Sequence, residues 1–135
     1  MKINRISHIG LAVKDVDMAK SLYTDKLGLE IKGEEMLGEL KIAFVPVGET
    51  SIECVQSTTA EGVMCKFIEK KGEGIHHIAF EVDDIEAAVE ELKGRGVAMI
   101  DQKPRPGAHG TKVAFLHPKG TYGVLIELVQ PGAGH

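Results

Sequence analysis

Ser7-His8-Ile9-Gly10-Leu11-Ala12-Val13, followed by Asp15-Val16-Asp17-Met18-Ala19, is a pattern to which the chain returns 69 residues later. There it reads His76-His77-Ile78-Ala79-Phe80-Glu81-Val82, then Asp84-Ile85-Glu86-Ala87-Ala88. Lys41-Ile42-Ala43-Phe44-Val45 recurs as Lys112-Val113-Ala114-Phe115-Leu116, at an offset of 71. Ser51-Ile52-Glu53-Cys54-Val55-Gln56 recurs as Leu125-Ile126-Glu127-Leu128-Val129-Gln130, at an offset of 74. The offset grows in steps, as short loop insertions in the second copy would make it. Matched blocks in a constant order are the signature of an internal duplication.

Each copy carries the same local pattern. A strand of apolar and β-branched residues (8–13, 77–82) runs into Asp15 or Asp84, whose carboxylate suits a helix N-cap. Ala19, Leu22, Tyr23 and Leu27 keep helical spacing, as do Ile85, Ala88, Val89 and Leu92. Gly28, and Gly94 or Gly96, are placed to end those helices. Shorter strands are expected near 30–32, 40–47 and 51–55, with partners near 98–101, 112–116 and 123–129. An amphipathic helix with Val63, Met64, Phe67 and Ile68 on one face joins the copies, released by Gly72 and Gly74. Each copy is therefore a βαβββ module too small to bury its own sheet face. The expected fold is α+β: two pseudo-symmetric modules forming a curved mixed sheet around a metal cleft. One domain spans 1–135, with repeat one at about 1–58, the connecting helix at about 59–72 and repeat two at about 73–131.

Composition narrows the function. With 135 residues, 43% hydrophobic and 27% charged, the chain falls in the globular range rather than the disordered one. The net charge of −4 and scattered basic residues give no footprint for nucleic acid. No apolar run approaches the ~18 residues needed to span a membrane. The N-terminus lacks a signal-like apolar region, so a cytoplasmic protein is expected. Cys54 and Cys65 are too few for a disulfide framework and read as reduced thiols. Aromatics at 4%, with no Trp, disfavour a stacking platform for bases or sugars.

Polar residues on the repeated elements carry the chemistry. His8 and His77 open matched strands, and Glu53 and Glu127 are embedded in matched apolar runs. An ionised Glu in a buried strand is costly unless paired or metal-bound. A lone His at a strand start is usually a hydrogen-bonded core residue, but four such groups on the repeat favour a shared partner. Two imidazoles and two carboxylates form a mixed N/O set suited to one divalent ion. The register selects His77 over His76, which alternation puts on the opposite face. His109, His117 and His135 have no repeated partner and are weaker candidates.

These residues, with Lys66-Phe67-Ile68-Glu69-Lys70-Lys71-Gly72-Glu73-Gly74-Ile75, Lys103-Pro104-Arg105-Pro106-Gly107-Ala108-His109-Gly110 and His117-Pro118-Lys119, resemble the vicinal oxygen chelate superfamily. Within it, the chain resembles the methylmalonyl-CoA epimerases over nearly its full length. The resemblance implies an isomerase that interconverts the C2 epimers of methylmalonyl-CoA through a metal-stabilised enolate. It also implies an acyl-CoA partner, a homodimer and a divalent cofactor, with cobalt favoured over zinc, nickel or manganese. His8, Glu53, His77 and Glu127 would be the metal ligands, and Glu127 also an acid/base group. In well-known epimerases a second carboxylate stands on the strand before the second ligand; aligned through Gly38, that position is Lys41. Glu39, two residues earlier, would share its face, so Glu39 or Lys41 is the expected second acid/base group. Arg105 and Lys119 are the expected substrate contacts. The residue after Lys119, often Ser in that branch, is Gly120. A glyoxalase I-type lactoylglutathione lyase is the alternative, yet Ala12 stands where a glutathione-binding Arg is often found. A non-catalytic binding protein of the same fold would not need all four ligands.

Overall fold

The structure, a computed structural model, describes residues 1–132, so His135 lies outside the described residues. The chain divides into two compact units, His8–His76 and Met1–Ser7 together with the chain from His77 onward. The strand β1 (Ile3–Ala12) contributes to both. The first unit continues through α1 (Val16–Ser21), β2 (Glu34–Leu37), β3 (Leu40–Val47), β4 (Thr50–Ser57) and α2 (Val63–Lys71). The second contains most of β5 (Gly74–Val82), then α3 (Ile85–Gly94), β6 (Arg105–Pro106), β7 (Lys112–Phe115) and β8 (Ile126–Gln130).

Strand order confirms the duplication. It is β2-β3-β4-β1 in the first unit and β1-β5-β8-β7-β6 in the second. β1 pairs parallel with β4, and β5 parallel with β8. The outer strands pair antiparallel in both units. Each copy is thus βαβββ in a mixed sheet, the expected α+β class. Asp15 Oδ1 accepts from the amides of Asp17 and Met18, and Asp84 Oδ1 from that of Ala87. A second cap is also duplicated: Gln56 Oε1 accepts from Val16 N at 2.9 Å, and Gln130 Oε1 from Ile85 N at 3.0 Å. Each helix start is thereby tied to the last strand of its own copy, satisfying an otherwise orphaned first-turn donor.

Alternation divides each sheet into a helix face and an opposite face. In the first unit Val16, Ala43 and Cys54 form the fully buried centre of the helix face, with Val13, Ala19, Tyr23 and Ile52 packed around them. In the second, Ile85, Ala88 and Val89 of α3 pack on Val82, Ala114 and Leu128. Burial pushes the Cys54 thiol up to about 11, whereas Cys65 on α2 is only half-buried. An alkylating reagent near neutral pH should therefore label Cys65 and spare Cys54 until the protein is unfolded, since the thiolate is the reactive form. Peptide mass spectrometry reads both sites. Equal labelling in the folded state would mean that the helix face is not closed.

Several expected elements are displaced, each for a local reason. The strand expected at 30–32 begins instead at Glu34, because Gly33 takes a φ of +128° that breaks the extended run. At 98–101 there is an isolated bridge from Met99 to Leu116 rather than a strand. Asp101 replaces the ladder with its side chain: Oδ2 accepts from Phe115 N at 2.8 Å and Oδ1 from Arg105 Nε at 3.0 Å. α1 ends in a π-helical turn, Leu22–Lys26, before Gly28 at a φ of +74°. On α2 Met64 is buried but Val63 is exposed, so the packed face is narrower than its spacing suggested. Gly94 lies inside α3, and Gly96 takes the left-handed turn beyond it.

Candidate metal centre

The face opposite the helices carries the polar residues singled out by the repeat. In the first unit His8 stands opposite Ser51 and Gly10 opposite Glu53, which places the imidazole and carboxylate on one face. His8 Nδ1 lies 3.2 Å from Glu53 Oε2, with 9% and 13% of the two side chains exposed. In the second unit Ala79 stands opposite Glu127, and His77 is two residues before it. His77 Nε2 lies 3.1 Å from Glu127 Oε1, with 8% and 6% exposed. An imidazole–carboxylate pair is thus built on the same two strands of each copy, with both partners buried in the second and Glu53 half-buried in the first. Burial of a carboxylate on an apolar sheet is sustained by such a partner. The N/O donor chemistry fits a borderline divalent ion.

The second unit surrounds its pair with further groups. Phe115 stands opposite Glu127, and its ring meets the His77 ring edge-on, 5.7 Å between centroids. The Arg105 guanidinium lies 5.2 Å from the Phe115 centroid, while Asp101 holds its Nε. Arg105 pairs with Val113, on the Glu127 face, so this expected substrate contact belongs to the same surface. Lys119 belongs to an exposed turn, Pro118–Gly120, where its backbone amide donates to His117 Nδ1 at 3.1 Å. His117 is thus a turn cap, and His109 lies in a tight turn at a φ of +56°. A Cβ at Gly120 would meet open space, so its lack of a side chain is not imposed by packing. His76 is half-buried with its ring edge-on to Phe67 at 4.9 Å.

Lys41 and Glu39 do not share a face, contrary to the reading by alternation. Lys41 shares its face with Ala43 and Cys54, the face covered by α1, and is turned away from Glu53. Its ammonium lies 3.4 Å from Asp17 Oδ2 and 3.9 Å from Glu34 Oε1. Those hydrogen-bonded lysines hold the Asp17 carboxyl below the usual range, Lys20 first and Lys41 next. Glu39 does not share that face, because it belongs to the β2–β3 turn, where alternation lapses. Its carboxylate accepts from Ser57 Oγ at 3.0 Å and from Thr59 N and Oγ1. Ser57 Oγ in turn accepts from Met64 N, at the start of α2. A Cβ at Gly62 would collide with Glu39 and Ser57, so this junction is close-packed. Glu39 therefore ties the turn to the α2 entry.

One carboxylate escaped the sequence reading. Glu35 of β2 stands opposite Ile42, which stands opposite Val55, so Glu35 shares the face of Glu53 and His8. Its neighbour Glu34 faces the other way and reaches Lys20 of α1 at 2.8 Å. The usable signal was the repeat itself, which equates Ile42 with Val113 and hence the strand beside each.

A family model described as the Glyoxalase/Bleomycin resistance protein/Dioxygenase superfamily matches residues 7–115. The chain is 38% identical to the mitochondrial methylmalonyl-CoA epimerase of Mus musculus over 132 residues, covering 96% of this chain and 74% of that one. It is 37% identical to an ethylmalonyl-CoA/methylmalonyl-CoA epimerase of Cereibacter sphaeroides, covering 95% of this chain and 98% of that one. A solved structure of Streptomyces coelicolor methylmalonyl-CoA epimerase, in complex with 2-nitronate-propionyl-CoA, superposes with a TM-score of 0.93 at 32% identity, covering 98% and 97% of the two chains. Probable lactoylglutathione lyases, such as that of Vibrio cholerae at 32% identity, are more distant. With its duplicated βαβββ copies and paired His and Glu residues, the chain belongs to the glyoxalase/bleomycin resistance/dioxygenase superfamily, in the branch of the methylmalonyl-CoA epimerases.

Proposed function

We propose that this protein interconverts the C2 epimers of methylmalonyl-CoA with the help of one divalent ion held by His8, Glu53, His77 and Glu127. The observation that carries the reading is the imidazole–carboxylate pair repeated on equivalent strands of both copies. When bound, such an ion supplies Lewis-acid polarisation of the thioester oxygen, which lowers the barrier to C2 deprotonation by several kcal/mol. Glu127 serves as one acid/base group, exchanging a proton with C2. Arg105, held by Asp101 and laid over Phe115, gives a preset guanidinium for the substrate's carboxylate or a phosphate of the CoA. Phe115 packs edge-on against the His77 ring. Cobalt is the favoured ion, and a cytoplasmic homodimer the favoured state. Ala12 is fully buried and offers no cation to a glutathione, which disfavours the lyase alternative.

Deuterium incorporation at C2 tests the reading. In heavy water the metal-loaded protein should exchange the C2 proton of methylmalonyl-CoA, and removal of metal by a chelator should abolish exchange. The hemithioacetal of methylglyoxal and glutathione should turn over at least about a hundredfold less efficiently, a difference of ~2.7 kcal/mol in transition-state stabilisation. The opposite preference would establish the lyase reading instead.

A further inference from the structure

The Arg105 guanidinium is held by a carboxylate that belongs to no strand. We infer that Asp101 is a positioning residue: it fixes Arg105 to receive the free carboxylate of the acyl group, and so selects carboxylated acyl-CoAs over plain ones. The assignment rests on the epimerase reading above, and every residue it places at the site lies in the second unit.

The duplication isolates what Asp101 adds. Phe44 and Phe115 are equivalent in the repeat, and each stands opposite the glutamate of its own copy, Glu53 or Glu127. In the first copy backbone alone closes the ladder beside Phe44: Lys32 N donates to Phe44 O at 2.8 Å, and Phe44 N to Gly33 O at 3.0 Å. In the second copy Ile100 N donates to Phe115 O at 2.9 Å, but Phe115 N donates to Asp101 Oδ2 at 2.8 Å. A carboxylate has taken the place of a carbonyl. One oxygen is enough to satisfy the strand amide, as Gly33 shows in the first copy. The other, Oδ1, accepts from Arg105 Nε at 3.0 Å.

Stability does not account for that second contact. The Asp101 side chain is 15% exposed but that of Arg105 54%, and an ion pair with one solvated member adds little to folding. What the contact fixes is direction. With Nε on Asp101, the terminal nitrogens form the guanidinium's remaining fork, a match for a planar carboxylate. The guanidinium lies 5.2 Å from the Phe115 centroid, and that ring meets the His77 ring edge-on at 5.7 Å. The cation is thus one aromatic ring from the His77–Glu127 pair. The phosphates of CoA are separated from the acyl carbons by the whole pantetheine arm, so the anion that meets a cation this near the pair is the acyl carboxylate. Holding the guanidinium in advance also removes the side-chain ordering that binding would otherwise cost.

The test compares metal-loaded wild type, Asp101→Asn, Arg105→Met and the double variant, by deuterium exchange at C2 and by inhibition with propionyl-CoA, which is methylmalonyl-CoA without its free carboxylate. Asn keeps an oxygen for Phe115 N, so Asp101→Asn should melt close to wild type. It should raise KM for methylmalonyl-CoA at least about tenfold while kcat stays within about twofold, the pattern of lost uniform binding. Inhibition by propionyl-CoA should be unchanged. In the Arg105→Met background Asp101→Asn should add nothing to KM, because no guanidinium is left to position. Equal weakening of both acyl-CoAs would assign the guanidinium to a CoA phosphate and overturn the inference. An unchanged KM in Asp101→Asn would overturn it too, as would a further loss in the double variant, which would trace the effect to the Phe115 amide. In each of those cases wild type still exchanges C2 and the epimerase reading stands. Absence of exchange in wild type overturns the epimerase reading, and the selection by Asp101 with it.

Discussion

His77→Ala should strip most of the bound divalent ion and lower C2 exchange by at least about a thousandfold, whereas His76→Ala should leave metal content unchanged. The two histidines are adjacent in sequence but face opposite sides of β5. His77 is buried against Glu127 at 3.1 Å, and His76 packs edge-on to Phe67. Loss of a proposed ligand and of the Glu127 contact falls on His77 alone. Removing one member of a buried pair also costs about 3–5 kcal/mol, because Glu127 is left desolvated without its imidazole. His77→Gln therefore belongs in the same experiment: it keeps a hydrogen-bond donor for Glu127, so stability recovers while metal binding does not. His76→Ala loses an aromatic edge contact, worth about 0.5–1.5 kcal/mol. Inductively coupled plasma analysis with thermal melts separates these effects. Equal metal loss in both alanine variants would remove His77 from the ligand set.

The repeat made the strands of the two His–Glu pairs readable because it compares the chain with itself. An imidazole at position 8 alone is ambiguous; one at 8 and one at 77, each matched with a strand glutamate, favours a shared partner. The duplicated Gln56 and Gln130 were visible in the same alignment. Their function was not, since it depends on a side chain reaching a helix amide from a strand distant in sequence. The expectation that Lys41 and Glu39 share a face failed for a related reason. Alternation fixes a face only inside a strand, and Glu39 lies in the turn where the chain reverses. The outermost strands were least legible: Gly33 shifts β2 to Glu34–Leu37, and Asp101 substitutes its carboxylate for a ladder before β6. Those shifts hid Glu35, whose face follows only from its pairing with Ile42.

Glu127→Gln should reduce exchange by about a thousandfold or more even when metal is saturating, whereas Glu53→Gln should weaken metal binding but recover much of its exchange in excess metal. Both residues are assigned as ligands, so a simple ligand defect predicts the same rescue for both. They differ in surroundings. Glu127 is 6% exposed, faces Phe115 and shares its surface with Arg105, the group placed to hold the substrate anion. Glu53 is 13% exposed, beside His8, with the apolar Phe44 opposite. A Gln at either position keeps a carbonyl oxygen for a metal or an imidazole, but it cannot accept and return a proton. Removing a positioned acid/base group typically costs 10²–10⁴ in rate, about 3–5 kcal/mol, and added metal does not restore it. Titrating each variant with cobalt while following deuterium at C2 distinguishes the roles. Full recovery of Glu127→Gln at high metal would reduce Glu127 to a ligand. The proton on its side of the reaction would then have to be carried by another group or by water.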